Sequence, residues 1–127
     1  MTRFNNRASF EISLQDGRIT MPCAALGPLV VHRPVNEAGD GPNNNRHAGW
    51  RVSHAATGLH VDRSTQCNER AARRLARRLL EHETLSQVFA PESVDQMKAC
   101  AADAGLSWAD VGSLVQDCID AVAFERR

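Results

Sequence analysis

The stretch FEISLQDGRITMPC, residues 10–23, decides how the chain begins to fold. Asp16-Gly17 at its centre is a dipeptide suited to a two-residue type I′ turn, and apolar residues alternate with polar ones on both sides. Pairing Gln15 with Arg18 sets every apolar side chain opposite another apolar one. The resulting pairs are Leu14–Ile19, Ile12–Met21 and Phe10–Cys23. The pattern therefore predicts an antiparallel hairpin in this register.

A second hairpin is predicted downstream, in the stretch WRVSHAATGLHV at residues 50–61. Its turn lies at 55–58, where Gly58 is free to adopt a positive φ. Pairing His54 with Leu59 then sets Arg51 opposite Asp62, a favourable cross-strand ion pair. The predicted buried face consists of Trp50, Val52, Leu59 and Val61.

A strand and a loop are predicted between the two hairpins. Residues 29–35, LVVHRPV, are apolar enough for a strand, and Pro34 marks its end or a sheet edge because proline has no amide hydrogen. Residues 36–49 are polar and rich in Gly and Asn. We expect them to form a long mobile loop, a kind of segment that often carries function.

Helical periodicity follows residue 65. It predicts helices at about 66–83, 92–104 and 108–124, the first with its apolar stripe at Ala72, Leu75, Ala76 and Leu79. Ser64 or Thr65 is expected to cap the first helix, and Gly105 to stop the second. Ser107 and Asp110 have the spacing of a capping box for the third.

Strands followed by helices predict an α+β fold. We expect a small antiparallel sheet of two hairpins plus one strand, with three α-helices packed on one face. At 127 residues the chain is long enough for a single domain, 1–127, that is β-rich over 8–63 and helical over 65–124.

Composition narrows the class of protein. The N-terminus has no apolar signal core, no apolar run approaches 18 residues, and the four cysteines are irregularly spaced. We therefore expect a cytoplasmic protein with reduced thiols and no contact with a membrane. Residues 1–91 hold twelve arginines and eight acidic residues, whereas residues 92–127 hold three basic and seven acidic ones. These opposed halves could dock on each other within one chain, pair between subunits of a homodimer, or bind two different partners.

The first predicted helix carries the main candidate site. Its arginines share one face, and several repel each other at i,i+4 spacing; they are Arg70, Arg73, Arg74, Arg77 and Arg78. Three interpretations remain open: a solvated face or one docked on the acidic C-terminal helix, a site for an acidic protein, and a site for nucleic acid. Further candidates are Arg46 in the loop and Asp110, Asp117 and Asp120 in the last helix.

Catalytic patterns are absent from the sequence. No HExxH, GxSxG, GxGxxG or Walker motif occurs, so we expect no enzyme, no metal and no cofactor. The register of the second hairpin points His54 and His60 to opposite faces, which argues against a metal pair. A nucleophilic pair of Cys23 with His32 or His54, meeting across neighbouring strands, is the one catalytic alternative.

The residues Trp50, Val52, His54, Thr57 and Gly58 form the pattern W-x-V-x-H-x-x-T-G ahead of a helix. In this pattern the chain, over about residues 27–83, resembles small proteins encoded by phages, prophages and plasmids. The resemblance implies a mobile-element setting, in which small cytoplasmic proteins often inhibit host defence, as anti-CRISPR proteins do.

These observations lead to two hypotheses about function. The first is a non-enzymatic binding protein that inhibits a host defence or nucleoprotein complex through its charged surfaces. The second is a DNA-binding accessory or regulatory protein that contacts double-stranded DNA with the arginine-rich helix.

Overall fold

The computed structural model describes residues 3–15, 17–62 and 65–125. Four antiparallel strands form one sheet in the order β1-β2-β3-β4: β1 Asn5–Leu14, β2 Gly17–Leu26, β3 Leu29–His32 and β4 Arg51–His54. Helices follow: α1 Glu69–Glu81, α2 Glu83–Val88, α3 Val94–Asp103 and α4 Trp108–Glu125. The predicted α+β class is confirmed, with four helices in the described residues where three were expected. No helix in these ranges is long and apolar enough to cross a membrane.

The first hairpin has a different register from the predicted one. Ser13 pairs with Arg18 and Leu14 pairs with Gly17, so β2 is displaced by two residues from the expected alignment. Gly17, with φ 142°, already occupies the first paired position of β2, so the turn comes one residue earlier than Asp16-Gly17. Asp16 itself lies outside the described residues. A shift of two keeps every side chain on its predicted face.

The second hairpin pairs as predicted. The His54 amide donates to the Leu59 carbonyl at 2.8 Å, and the Val61 amide donates to the Val52 carbonyl at 2.9 Å. Its predicted buried face is only partly buried: Val52 is inaccessible, whereas Leu59 is 37% exposed. The segment after the turn joins the sheet through a single bridge, Ser53 with His60, and not as a full strand.

Both faces of the sheet are covered. All four helices pack on one face, where their apolar residues enclose Leu29, Val31 and Val52. The other face is smaller and holds the second apolar cluster: Phe10, Ile12, Met21, Cys23 and Val30. The β1 strand passes close to the 55–58 turn: a Cβ added to Gly58, at φ 72°, would lie 3.4 Å from the Glu11 carbonyl oxygen.

The helix boundaries correct several predictions. Asn68 caps α1, since its side-chain oxygen accepts from the Ala71 amide at 2.8 Å; Thr65 lies too far upstream, and Ser64 falls outside the described residues. An extended His82 separates α1 from α2, which the sequence patterns missed. Gly105, at φ 78°, follows the end of α3 as predicted. The Ser107–Asp110 capping box is confirmed, with hydrogen bonds of 2.9 and 3.1 Å.

The loop at 36–49 is held by local hydrogen bonds. The Asn36 amide donates to the Gly41 carbonyl at 2.9 Å, and the Asn43 amide donates to the Pro34 carbonyl at 2.8 Å. The expected strand over 29–35 ends at His32, and Val35 instead forms an isolated bridge with Pro42.

Candidate binding surfaces on helix α1

Helix α1 is amphipathic, and its two exposed flanks form different surfaces. Its apolar stripe is fully buried against the sheet and the other helices: Ala71, Ala72, Leu75, Ala76 and Leu79. The arginines occupy the remaining face, as the periodicity predicted. One flank faces Phe4 from the N-terminal segment, and the other faces α4.

The flank toward Phe4 is a shallow basic depression, lined by Phe4, Glu69, Arg70, Arg73, Arg74 and Arg77. The predicted i,i+4 ion pair is present, with Arg73 Nη2 2.6 Å from Glu69 Oε2. The guanidinium groups of Arg73 and Arg77 lie over the Phe4 ring, at 4.7 and 5.1 Å from its centroid. Four arginines thus surround one glutamate, which leaves the lining with a net charge of +3.

The flank toward α4 is a charge-balanced groove of about 670 Å³. Its basic wall on α1 carries Arg74, Arg77 and Arg78, and its acidic residues are Glu81 on α1 and Asp117 and Glu125 on α4. The floor is made of Leu114, Cys118 and Ala121 from α4. Three positive and three negative side chains make the lining neutral.

Ion pairing within the groove is incomplete. Arg78 and Glu125 form an ion pair that joins α1 to the end of α4. Arg74 and Asp117 also line the groove, from opposite walls, yet neither forms an ion pair with another described residue. The opposed halves of the sequence therefore meet within one chain, but only part of their charge is neutralised there.

The other predicted site residues lie outside both surfaces. Arg46 is exposed in the loop, where its Nε donates to His47 at 3.2 Å. Asp110 is engaged in the capping box of α4. Asp120 accepts from the Gln116 side chain at 2.9 Å. Among the predicted acidic residues, only Asp117 joins the arginines.

Sequence reasoning missed two residues that shape these surfaces. Phe4 comes from the N-terminal segment, far from α1 in sequence, and nothing in its local sequence indicates the contact with α1. Glu125 could have been found, because Asp117, Ala121 and Glu125 recur at helical i,i+4 spacing and all line the groove.

A hydrogen-bonded chain of histidines and a serine lies on the opposite face of the sheet. His32 Nδ1 donates to the Arg33 carbonyl at 2.6 Å, so its Nε2 accepts from the Ser53 hydroxyl at 2.7 Å. His60 Nδ1 then donates to the Ser53 oxygen at 2.8 Å. Burial lowers the pKa of His32 to about 4 and also lowers the pKa of His60. Because Ser53 is inaccessible to solvent, this arrangement stabilises the fold and offers no exposed nucleophile.

Among the described residues, neither His32 nor His54 forms a hydrogen bond with Cys23, the thiol of the predicted nucleophilic pair. His32 and His54 lie on opposite faces of the sheet, contrary to the meeting that strand adjacency suggested, since Leu29 and not His32 pairs with His54. His54 and His60 point apart, as predicted. Burial raises the pKa of the Cys23 thiol to about 11, the reverse of what activates a nucleophile.

The W-x-V-x-H-x-x-T-G pattern is accounted for by folding. His54 Nε2 donates to the Phe89 carbonyl at 2.9 Å, and its Nδ1 accepts from the Thr57 hydroxyl at 2.9 Å. Gly58 permits the close approach of β1, and the guanidinium of Arg33 lies 4.5 Å from the Trp50 ring centroid. These side chains join the turn to the sheet and to the end of α2.

A buried ion pair closes the second hairpin. Arg51 Nη2 lies 3.8 Å from Asp62 Oδ1, as the register predicted, although neither carboxylate oxygen makes a hydrogen bond of good geometry. Burial raises the pKa of Asp62 to about 6, against the opposing effect of Arg51. Among the described residues, no group of three or more His, Cys, Asp and Glu side chains could hold a metal ion.

Comparisons with known proteins identify no relative of this chain. No protein-family model, no curated protein and no solved structure matches it.

Proposed function

We propose that this protein is a non-enzymatic binding protein of a mobile genetic element that inhibits a host defence or nucleoprotein complex. In this proposal the basic depression on α1 binds an acidic surface of a protein in that complex. The observation that carries the proposal is that Arg70 and Arg74, both in the lining of the depression, form no ion pair with another described residue. The mobile-element setting rests on the W-x-V-x-H-x-x-T-G resemblance.

The electrostatics of α1 support an anionic partner. Arg70, Arg74 and Arg78 follow one another at i,i+4 spacing, where each like-charge pair costs about 0.2–0.5 kcal/mol in an isolated helix. Arg70 and Arg74 form no ion pair with another described residue. An acidic surface would relieve this repulsion, and electrostatic complementarity of this kind raises association rates and excludes wrong partners.

A protein surface fits the depression better than a DNA duplex does. Asp117 and Glu125 stand across the groove from the same helix, so a phosphate backbone lying along α1 would be repelled by the neighbouring wall. The Phe4 ring lies beneath two guanidinium groups and is not free to stack on a base. An acidic patch of protein can match the depression alone, without extending over α4.

Affinity capture from a host extract, with and without nuclease, tests the proposal. The wild-type chain should retain a protein partner after nuclease treatment, and Arg70→Glu should weaken its capture at least about tenfold. Arg18→Glu is the matched control, since Arg18 is exposed on the first hairpin and pairs only loosely with Glu11 at 3.5 Å. It should capture the partner as the wild type does.

Two outcomes would reject this assignment. Capture by Arg70→Glu at the wild-type level would show that the basic depression does not bind the partner. Loss of all captured material on nuclease treatment would favour the second candidate, a DNA-binding accessory protein. That candidate requires duplex affinity that falls steeply with salt concentration, because bound arginines release counterions from DNA.

A further inference from the structure

We infer that the charge-balanced groove between α1 and α4 is the interface of a symmetric homodimer. A second copy of this chain is the occupant that matches its lining, in which one wall is basic and the other acidic. The groove lies on the opposite flank of α1 from the basic depression, although Arg74 and Arg77 line both surfaces. The inference does not depend on the proposed function.

The symmetry follows from the placement of the two walls. A two-fold axis that runs along the groove sets the basic wall of each copy against the acidic wall of the other. An axis across the groove would instead set like charges together. The isologous arrangement therefore makes every attractive contact twice. Because the chain has 15 basic and 15 acidic residues, its net charge is zero and the two copies do not repel each other overall.

Arg74 and Asp117 are the residues on which this pairing depends. They line opposite walls of the groove, and neither is neutralised by another described side chain of its own copy. In a two-fold arrangement that sets Arg74 of each copy against Asp117 of the other, two ion pairs form that the described residues of the single chain do not make. Arg78 and Glu125, already paired within one copy, fix the relative position of the walls before the second copy arrives.

Phe124 supplies an apolar contact beside these charges. It is 75% exposed, and it lies seven residues after Asp117, two helical turns along the same strip of α4. In the dimer this strip meets arginines of the other copy. Arginine side chains in this molecule already cover a phenyl ring at Phe4, which shows the type of contact that would cover Phe124.

A charge-exchange experiment tests the interface with single substitutions. Arg74→Glu and Asp117→Arg should each weaken self-association of the full-length chain at least about tenfold in sedimentation velocity, because each variant alone sets like charges across the axis. An equimolar mixture of the two variants should form a heterodimer within a few-fold of wild-type affinity. Both cross-axis pairs of that heterodimer again join opposite charges.

Matched controls separate the interface from folding and from partner binding. Asp103→Arg makes the same charge change as Asp117→Arg at an exposed position of α3 outside the groove, so it should self-associate as the wild type does. Arg70→Glu lowers capture of the partner under the proposed function and should leave self-association unchanged, since Arg70 does not line the groove. Circular dichroism establishes that each variant is folded.

Three outcomes would overturn the inference. One is a wild-type chain that stays monomeric at the highest concentrations reached in the centrifuge. The second is a pair of folded variants that remain monomeric when mixed. The third is loss of self-association in Asp103→Arg as complete as that in Asp117→Arg, which would show that total charge and not the groove governs association.

Discussion

The two flanks of α1 differ in charge balance, although one helix builds both. The basic depression gathers four arginines around one acidic residue, whereas the groove faces three arginines with three acidic residues; Arg74 and Arg77 line both. An unbalanced surface selects a partner of opposite charge, and a balanced one with separated walls can select its own copy. The difference shows that counting arginines along a helix does not identify a site, because the neighbouring elements decide which of them are neutralised.

The largest expected effect comes from breaking both surfaces at once. Leu75→Ala removes a fully buried side chain from the stripe that holds α1 against the core, and should lower the free energy of unfolding by about 2–5 kcal/mol. Urea denaturation measures this loss. Leu80→Ala, at a half-buried position on the same helix, is the control and should cost less. Partner capture and self-association should be lost together over the urea range in which the protein unfolds; either one persisting in the unfolded protein would show that it does not need folded α1.

Measuring stability against pH tests the sheet, because the sheet holds the histidine and the carboxyl group whose pKa values are shifted. The pKa of His32 is lowered from 6.5 to about 4, so the unfolded chain binds more protons between these values and stability falls as the pH falls from 6.5. The pKa of Asp62 is raised from 3.8 to about 6, so the folded chain binds more protons there and stability rises as the pH falls. The two effects oppose each other in the wild type.

Removing one of these two groups should reveal the pH dependence of stability that the other one causes. In Asp62→Asn, the free energy of unfolding should fall by about 3 kcal/mol between pH 6.5 and 4, which is what a shift of this size in the pKa of His32 implies. The wild type and a surface control, Asp120→Asn, should show a flatter dependence in urea denaturation. An equal slope in all three proteins would show that His32 and Asp62 do not have opposite effects on the pH dependence of stability.

The smallest effect should distinguish the flanks most sharply. Phe4→Ala removes the ring beneath Arg73 and Arg77 and should cost about 0.5–1 kcal/mol of stability. It should weaken partner capture more than self-association, because Phe4 itself does not line the groove, although Arg77, which packs on its ring, does. Phe124→Ala should do the reverse. Equal effects of the two substitutions on both measurements would mean that the flanks are not independent.

The sequence predicted which face of the sheet each side chain occupies better than it predicted the register in which the strands pair. Alternation placed Phe10, Ile12 and Met21 on one side of the first hairpin, but a register shifted by two satisfies the same alternation, so the pattern could not choose between them. The second hairpin was aligned correctly because the turn ending at Gly58 and the Arg51–Asp62 pair act together. Helix α2 was missed because six residues are too few to show a helical period. The boundary between α1 and α2 is an extended His82, and no glycine or proline marks it in the sequence.

The candidate site was predictable only where it is local. The shared face of the five arginines and the Glu69–Arg73 pair follow from helical spacing. Which arginines pack on Phe4 and which one pairs with Glu125 depends on contacts from distant parts of the chain. No helical period reports contacts between remote segments, so the division of α1 into two flanks required the structure.

The order of strands before helices has a consequence for synthesis of the protein. Each strand pairs with its neighbour in sequence, so the sheet can assemble as soon as β4 leaves the ribosome. Its helix-facing side, with Leu29, Val31 and Val52, then stays uncovered until α1 is translated. The His54 bond to the Phe89 carbonyl forms later still, because Phe89 is translated 35 residues after His54. A nascent chain stalled in this interval presents an apolar sheet to its surroundings, which is the stage at which binding by a chaperone would protect it from aggregation.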